Sequence, residues 1–212
     1  SWSSLPGVGF CPGAGDCLRW CYSMKAHRYP AAYCRQAQNA LLLNTPSGQK
    51  KILAALDVFE VQGPLDFRLY VDGDFSSVAD IQFWFTALRA RPWLAAYGYS
   101  KSFDELLAYA GPYPDNYLLN LSSGHNHSAA TARAVARLPI ARGEFIAVSL
   151  GRKVATRDHG GRAHNAELRA AFKVSDSRSA FTCPGQCGSC TPRGHACGSR
   201  RFSGIPVIIA SH

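Results

Sequence analysis

Strand-like and helix-like segments alternate along most of this chain. Segments with the alternating or β-branched pattern of strands occur at residues 67–71, 94–99, 117–121, 145–150 and 205–210. Between them, apolar residues recur at spacings of three and four, which is typical of helices. A parallel neighbour in a sheet requires a crossover connection, so this alternation predicts βαβ units around a parallel sheet. We therefore expect an α/β fold of about five or six βα units that curls into a partial (β/α) barrel, with an open doubly wound sheet as the alternative.

Local signals also predict where the helices begin and end. A serine before a helix can accept hydrogen bonds from free amides of the first turn, whereas proline cannot continue a helix. Six helices are predicted. The first starts near Pro30, the third is capped by Ser76 or Ser77 and stopped by Pro92, and the fourth runs from the capping box Ser102-Phe-Asp-Glu105 to Ala110. The second, fifth and sixth cover residues 49–60, 128–138 and 162–172.

Length and composition limit the class of protein. A chain of 212 residues, of which 47% are hydrophobic, can bury one substantial core, so we predict one domain over residues 1–212. No apolar run is long enough to cross a bilayer, and the first ten residues lack the basic and then apolar pattern of a secretory signal. We expect a cytoplasmic protein with no membrane partner.

The eight cysteines form two groups near the ends of the chain, and no cysteine lies in the 148 residues between them. The N-terminal group comprises Cys11, Cys17, Cys21 and Cys34, and the C-terminal group comprises Cys183, Cys187, Cys190 and Cys197. Thiols this crowded in glycine-rich loops are typical of metal ligands. Residues 1–43 are therefore interpreted as a metal-binding loop and helix, and residues 180–200 as a second metal-binding segment.

Three kinds of chemistry fit these thiols. Disulfides need an oxidising compartment, and cysteines this close in sequence are awkward to pair locally. Zinc fits the spacing Cys187-x2-Cys190 and could recruit the other two C-terminal thiols. Iron–sulfur ligation fits both groups, because glycine-rich loops let backbone amides turn toward the sulfides. The preferred interpretation is two 4Fe-4S clusters, with zinc as the alternative at the C-terminal group, and Cys34 either closes the N-terminal cluster or is a small buried residue of a helix.

Polar residues follow the predicted strands, and in parallel α/β folds function gathers at the carboxyl ends of strands. The candidate catalytic residues are Asp72, Asp74 and Lys101, and the candidate ligand-binding residues are Gly73, Ser100 and Ser122. The two aspartates can bind an amine or accept a proton, and the lysine can contact an anion. The alternatives are a turn with a helix-capping aspartate and a solvated loop lysine. His125 and His127 lie in a Ser/Gly loop and are interpreted as surface residues rather than metal ligands.

The positive charge of the chain is concentrated in its last third. Residues 1–150 carry 13 basic and 11 acidic side chains, whereas residues 151–212 carry 10 basic and 3 acidic ones. Such a basic segment can attract nucleic acid or another polyanion through contacts with phosphate groups. The alternative is that it solubilises the protein or balances the negative charge of thiolate-ligated clusters.

Several motifs resemble one protein family along nearly the whole chain. The motifs are Cys11-Pro-x4-Cys17-x3-Cys21-Tyr with Arg35 and Asn39 downstream, then Phe67-Arg-Leu-Tyr-Val-Asp-Gly-Asp-Phe75, then Tyr97-Gly-Tyr-Ser-Lys101-Ser, and a cysteine-rich segment that runs into a terminal Ile-Pro-Val-Ile-Ile-Ala-Ser-His. In this order they resemble the gene product 88-like proteins of phages and mobile elements. The resemblance implies a phage or mobile-element protein.

More remotely, the arrangement resembles radical SAM enzymes, which place a three-cysteine cluster loop before the first helix of a partial (β/α) barrel. This resemblance implies S-adenosylmethionine as a ligand near Asp72-Gly73-Asp74, with Trp20 as the aromatic residue before the last ligand, although the cysteine spacing here is x5 and x3. We therefore expect an iron–sulfur protein with one-electron chemistry at the strand ends and an electron donor as a partner. The alternative is a non-catalytic nucleic-acid-binding protein stabilised by iron–sulfur clusters or zinc.

Overall fold

Six parallel strands form one sheet in the part of the chain that the computed structural model describes, which is residues 1–7, 9–152, 154, 159–185, 190–191 and 194–211. The strands are β1 (Leu65–Leu69), β2 (Leu94–Ser100), β3 (Tyr117–Ser122), β4 (Ala141–Val148), β5 (Phe181–Thr182) and β6 (Val207–Ala210). Their spatial order is β1-β2-β3-β4-β6-β5, and every neighbouring pair is parallel. The sheet curves into a half-barrel, which confirms the predicted α/β class and its curled form.

Six α-helices accompany the sheet within the described ranges. They are α1 (Pro30–Leu43), α2 (Pro46–Asp57), α3 (Val78–Arg89), α4 (Phe103–Ala108), α5 (Ala129–Val135) and α6 (Arg162–Ser175). Ser77 caps α3 as predicted, because its hydroxyl accepts from the Asp80 amide at 3.2 Å. The capping box predicted at Ser102 is wrong, because this hydroxyl donates to the Phe75 carbonyl oxygen at 2.7 Å and does not cap α4. No helix of the described residues is long and apolar enough to cross a membrane.

The end of the chain departs from a sequential order of strands. The chain runs from β4 through α6 to the edge strand β5, and β6 then lies between β4 and β5. The sequence did not predict β5, because a strand of two residues carries no alternating pattern. The predicted bounds also shift at β1, which begins at Leu65, and at β4, which begins at Ala141 and ends at Val148.

The first residues of the chain continue the sheet beyond β1. The Trp2 amide donates to the Arg68 carbonyl oxygen at 3.0 Å, and the Trp2 carbonyl oxygen accepts from the Val71 amide at 2.7 Å. The Ser4 amide donates to the Asp72 carbonyl oxygen at 2.9 Å, so residues 2–4 run parallel to β1. The loop that begins at Cys11 therefore starts near the carboxyl ends of the strands.

The two faces of the sheet pack against different parts of the chain, because successive strand residues point to opposite sides. Ala96 and Leu119 belong to the core that includes the buried side chains of α3 and α4. Their neighbours Tyr97 and Leu118 instead pack with Cys197. The segment between β5 and β6 therefore covers the face of the half-barrel that lies opposite α3 and α4.

A buried arginine attaches this segment to the sheet. Arg142 of β4 donates from Nε to the Asn120 side-chain oxygen at 2.5 Å and from one terminal nitrogen to the carbonyl oxygens of Phe202 and Ile205, both at 2.9 Å. The Asn120 amide in turn donates to the Cys197 carbonyl oxygen at 3.0 Å. These bonds satisfy backbone groups of the segment between β5 and β6, whose described residues form no long helix or strand, and they hold these residues inside the half-barrel.

Candidate functional site

A cavity of about 380 Å³ lies at the carboxyl ends of the strands. Residues that end or follow four of the strands line it: Asp74 after β1, Lys101 after β2, Ser122 of β3 and Ser211 after β6. Its volume falls within the range of small-molecule sites. The structure therefore brings four of the predicted strand-end residues, Gly73, Asp74, Lys101 and Ser122, to one cavity.

Cysteines from both ends of the chain line this cavity. Cys11, Cys17 and Cys21 contribute from the N-terminal loop, and Cys183 contributes from the residue after β5. Cys34 lies on the exposed surface of α1 and does not line the cavity, so the prediction of a buried helical residue is wrong and its proposed ligand role loses support.

Of the other three C-terminal cysteines, two do not line the cavity and one lies outside the described residues. Cys190 and Cys197 pack with Cys183 and Tyr97 inside the half-barrel, and Cys187 lies outside the described residues. Five of the described cysteines are free thiols, which argues against the disulfide interpretation for them: Cys11, Cys17, Cys21, Cys34 and Cys190.

Glycines allow the N-terminal thiol loop to lie directly on the strand ends. The Gly13 carbonyl oxygen accepts from the Asn126 amide at 3.1 Å, and a Cβ at Gly13 would overlap the Lys101 carbonyl oxygen. The Gly124 carbonyl oxygen accepts from the amides of Gly15 at 3.0 Å and Cys17 at 3.2 Å. The loop is therefore positioned by backbone contacts with the segments that follow β2 and β3, at distances that only glycine permits.

His127 stabilises the backbone of Lys101, against which the thiol loop packs at Gly13. Its Nε2 lies 2.7 Å from the Lys101 carbonyl oxygen, its ring stacks on Phe103 with centroids 5.0 Å apart, and only 8% of its side chain is exposed. The Asp104 carboxylate lies 3.4 Å from its Nδ1. The prediction of a surface residue is therefore wrong for His127, which braces the thiol loop through the backbone of Lys101.

The three residues of the Asp72-Gly73-Asp74 turn have different surroundings. Asp74 is buried, and its carboxylate accepts from the amides of Phe75 at 2.8 Å and Lys101 at 2.6 Å. Burial raises the pKa of Asp74, and these hydrogen bonds only partly oppose the rise. Gly73 lines the cavity with a φ of 77°, whereas Asp72 does not line it and accepts from the Ser23 hydroxyl at 2.6 Å. Asp74 and Gly73 are therefore placed to meet a ligand, and Asp72 is placed to hold the chain beside them.

The polar residues after β2 and β3 also divide into two kinds. Lys101 lines the cavity, and its Nζ donates to the Ser122 hydroxyl at 2.7 Å. Ser100 is 1% exposed, does not line the cavity, and accepts from the Ser102 amide at 3.0 Å. The prediction that Ser100 contacts a ligand is therefore not supported by its position, because its hydroxyl lies beneath Asp74 and also bonds that carboxylate.

Three residues that line the cavity, Arg68, Tyr99 and Phe145, were not predicted from the sequence. The Arg68 guanidinium lies 4.8 Å from the centroid of the Tyr99 ring, and Tyr99 contacts Phe145 with ring centroids 4.7 Å apart. All three lie within strands rather than after them. Within the predicted strand 67–71, Arg68 is the one charged residue, and this was the available signal, since burying a charge requires a partner or a ligand.

Thiolates are ligands for zinc and for iron–sulfur clusters alike. No three His, Cys, Asp or Glu residues in the described part of the chain converge closely enough to hold one metal ion. Zinc needs four such groups around one centre at about 2.0–2.3 Å, whereas a cluster spreads its thiolates over several iron atoms. Backbone amides already point at two sulfurs, with Gly185 3.4 Å from Cys183 Sγ and Ala196 3.3 Å from Cys190 Sγ. Thiolates with amide donors are a donor set that a cluster can use, and both the iron–sulfur clusters and zinc at the C-terminal group stay predictions.

In the metal-free protein, we expect Cys11 to react with iodoacetamide tens of times more slowly at pH 8 than an ordinary cysteine. Burial, with a smaller contribution from Asp74, raises the pKa of Cys11 to about 12. The thiolate fraction then falls by roughly a thousandfold, and the greater nucleophilicity of the thiolate recovers part of the loss. Mass spectrometry of timed alkylation measures the rate, with the exposed Cys34 as the internal comparison. The Cys11 rate should keep rising with pH beyond 9, and equal rates at the two cysteines at pH 8 would contradict this prediction.

Several basic residues of the last third of the chain are engaged in contacts within the protein. Arg152 pairs with Glu167, Arg178 pairs with Asp176, and Arg200 donates to the Asp115 carbonyl oxygen at 2.8 Å. These contacts reduce the number of cations available to phosphate groups. Binding of nucleic acid by this segment, like the use of an electron donor, stays a prediction.

The fold and the cavity define a class of protein: a parallel α/β half-barrel with a small-molecule-sized cavity at its strand ends, lined by thiols from both termini. The chain belongs to the gene product 88 family, whose model matches residues 1–204. The motif resemblance to this family is thereby confirmed, and the family fits the expectation of a phage protein. No curated protein and no solved structure matches the chain.

Proposed function

We propose that this protein binds iron–sulfur clusters and uses them for one-electron chemistry on a small molecule held in the cavity at the strand ends. The observation that carries the proposal is that Cys11, Cys17, Cys21 and Cys183 line one cavity although they lie at opposite ends of the chain. A parallel α/β scaffold places its ligands at this edge of the sheet. A site at which thiols and strand-end polar groups meet is therefore suited to both a cluster and its substrate.

The path of the chain supports the N-terminal group as the first ligand set. Residues 2–4 lie along β1, and the thiol loop follows them at the carboxyl end of the sheet before α1 begins. This is the placement that the resemblance to radical SAM enzymes implies. Cys11, Cys17 and Cys21 would hold one cluster, which leaves one iron without a cysteine ligand from this group. The cluster would supply single electrons at low potential.

The C-terminal group would hold the second cluster. Cys183, Cys190 and Cys197 belong to one hydrophobic cluster in the half-barrel, and the amides of Gly185 and Ala196 point at the sulfurs of Cys183 and Cys190. Amide hydrogen bonds to sulfur stabilise the negative charge of a thiolate and tune cluster potential. Cys187, the fourth member of this group, lies outside the described residues.

The other cavity residues would bind and orient the substrate. Gly73 lets the N-terminal segment approach this turn closely, because a Cβ at Gly73 would lie 2.9 Å from the Leu5 carbonyl oxygen. Asp74 is held rigidly by two backbone amides, so its carboxyl group can take or return a proton at a fixed position. Apolar side chains such as Trp20 and Phe145 exclude water from the same space.

Anaerobic reconstitution is expected to yield about eight iron and eight sulfide per chain, as two four-iron clusters require. Replacing the N-terminal ligands in Cys11→Ser or Cys17→Ser should lower the iron content to about four per chain. The matched control is Cys34→Ser, which removes an exposed thiol outside the cavity and should leave the iron content unchanged. Iron and sulfide analysis with electron paramagnetic resonance of the reduced protein measures these outcomes.

The same samples test the chemistry. The reduced protein should cleave S-adenosylmethionine to deoxyadenosine, and Cys11→Ser should lose this activity. A colourless protein without iron after reconstitution would overturn the cluster proposal. Full iron content without deoxyadenosine, and without a spectral change on addition of S-adenosylmethionine, would instead remove that substrate and leave a cluster protein.

A further inference from the structure

More positively than negatively charged side chains line the cavity. Apart from cysteines, the charged residues among its described lining are Arg68, Lys101 and Asp74. The two carboxylate oxygens of Asp74 accept from the amides of Phe75 and Lys101, so this acid is occupied by the backbone. The lining therefore offers two cations, and the single carboxylate is already stabilised by contacts of its own.

The two cations lie at different depths of the same cavity. Arg68 belongs to β1 and lies over the Tyr99 ring inside the half-barrel, whereas Lys101 follows β2 and bonds Ser122 at the strand ends. The Ser122 hydroxyl accepts from Lys101, so its own proton remains able to donate to a ligand. A lysine and a neighbouring hydroxyl donor are suited to one oxyanion group.

Aromatic rings form part of the remaining wall. Tyr99 and Phe145 contact each other at depth, and Trp20 lines the cavity from the thiol loop. Flat apolar rings favour a ligand with a planar body, which can pack against them while its charged group reaches a cation. Polar atoms are few on this side, so a fully hydrated ion without an apolar body would leave the rings uncovered.

We propose that the cavity binds a small organic oxyanion, a carboxylate or phosphate attached to a planar apolar body, with Lys101 and Ser122 holding the anionic group and the Tyr99–Phe145 wall holding the body. The inference rests on the proposed function for the use made of this ligand, but its binding needs no cluster. Arg68, which lies over the Tyr99 ring, adds positive potential to the cavity and polarises the ring.

A different role for the two cations makes the opposite prediction. If Lys101 and Arg68 serve only to balance the charge of thiolates, their removal changes the reduction potential of a cluster but does not change the affinity for a small anion. The experiment must therefore measure anion binding directly and on protein both with and without iron.

Isothermal titration calorimetry with three probes of similar shape tests the proposal. Benzoate and phenyl phosphate carry the two oxyanions, and benzamide is the neutral counterpart of benzoate. We expect both anions to bind the full-length protein at least tenfold more tightly than benzamide does, since a charge-assisted hydrogen bond is worth about that factor. The better of the two anions identifies the natural group as carboxylate or phosphate.

Two lysine variants complete the test. Lys101→Met should lower the affinity for the tighter-binding anion by roughly tenfold and leave the affinity for benzamide unchanged. The reason is that this substitution removes the charge and keeps the length of the side chain. Lys51→Met is the matched control, since Lys51 is an exposed residue of α2 away from the cavity, and it should bind as the unchanged protein does.

Three results would overturn the inference: equal affinity for the three probes, no heat with any of them, or unchanged anion binding in Lys101→Met. Repeating the titration with Cys11→Ser separates this inference from the proposed function. Anion binding that persists in Cys11→Ser purified without reconstitution, and therefore without iron, supports the site even if no cluster forms, whereas iron binding without anion binding supports only the proposed function.

Discussion

Arg142→Ala is expected to lower the free energy of unfolding by about 4 kcal/mol, which corresponds to a loss of roughly a thousandfold in the folding equilibrium. Arg142 is 1% exposed and donates to Asn120 and to the carbonyl oxygens of Glu144, Phe202 and Ile205. The substitution leaves several of these acceptors buried without a donor, and each such group costs about 1–3 kcal/mol. It also leaves a cavity where the guanidinium packed.

Chemical denaturation followed by circular dichroism measures this effect. The control is Arg137→Ala, which removes an exposed arginine after α5 and should change the free energy of unfolding by no more than about 0.5 kcal/mol. The carbonyl oxygens of Phe202 and Ile205 belong to the segment between β5 and β6, so limited proteolysis should cut that segment first in Arg142→Ala. Equal denaturation midpoints for the two variants would show that the arginine does not hold the segment.

Gly13→Ala is expected to abolish iron binding by the N-terminal thiols, which is about half of the total, while the protein stays folded. A Cβ at this position would overlap the Lys101 carbonyl oxygen, and the backbone that it meets cannot move aside without disturbing β2. The loop must then shift away from the strand ends, carrying Cys11 and Cys17 with it. Circular dichroism should remain unchanged, since the core beneath α3 and α4 is untouched.

Gly9→Ala is the matched control for this prediction. Gly9 also lies in the N-terminal segment, but a Cβ there would enter open space, so only its φ of 87° adds strain, of about 1–2 kcal/mol. A second measurement keeps the test independent of iron. Cys17 is 7% exposed, and its alkylation in the metal-free protein should accelerate in Gly13→Ala and not in Gly9→Ala. Equal alkylation of Cys17 in both variants would contradict the described position of the loop.

Much of the fold could be predicted because its signals are local. β2 begins at the predicted Leu94, α1 at the predicted Pro30, and α3 after the predicted cap Ser77, since alternation, proline and serine act within one or two turns of chain. The errors have equally physical causes. β5 is too short to show a period, and Ser102 found a partner distant in sequence, the Phe75 carbonyl oxygen, in place of its own helix.

The candidate site was predictable only in part. The rule that function gathers at strand ends selected Asp74 and Lys101, which do line the cavity, but it also selected Ser100, whose hydroxyl is buried beneath Asp74. A rule based on position along a strand cannot tell which of two successive residues faces a cavity. Arg68 and Tyr99 were missed for the complementary reason, because they lie within strands and reach the cavity through the curvature of the sheet.

The amino-acid sequence alone was sufficient for the α/β class, the family resemblance and the division of the cysteines into two groups, because periodicity, turn residues and spacing are properties of neighbouring residues. Only the tertiary structure decided that Cys183 joins Cys11, Cys17 and Cys21 around one cavity while Cys34 stays on the surface. Residues this far apart meet through the order of strands and the curvature of the sheet, and both depend on packing across the whole half-barrel. No local pattern records that packing.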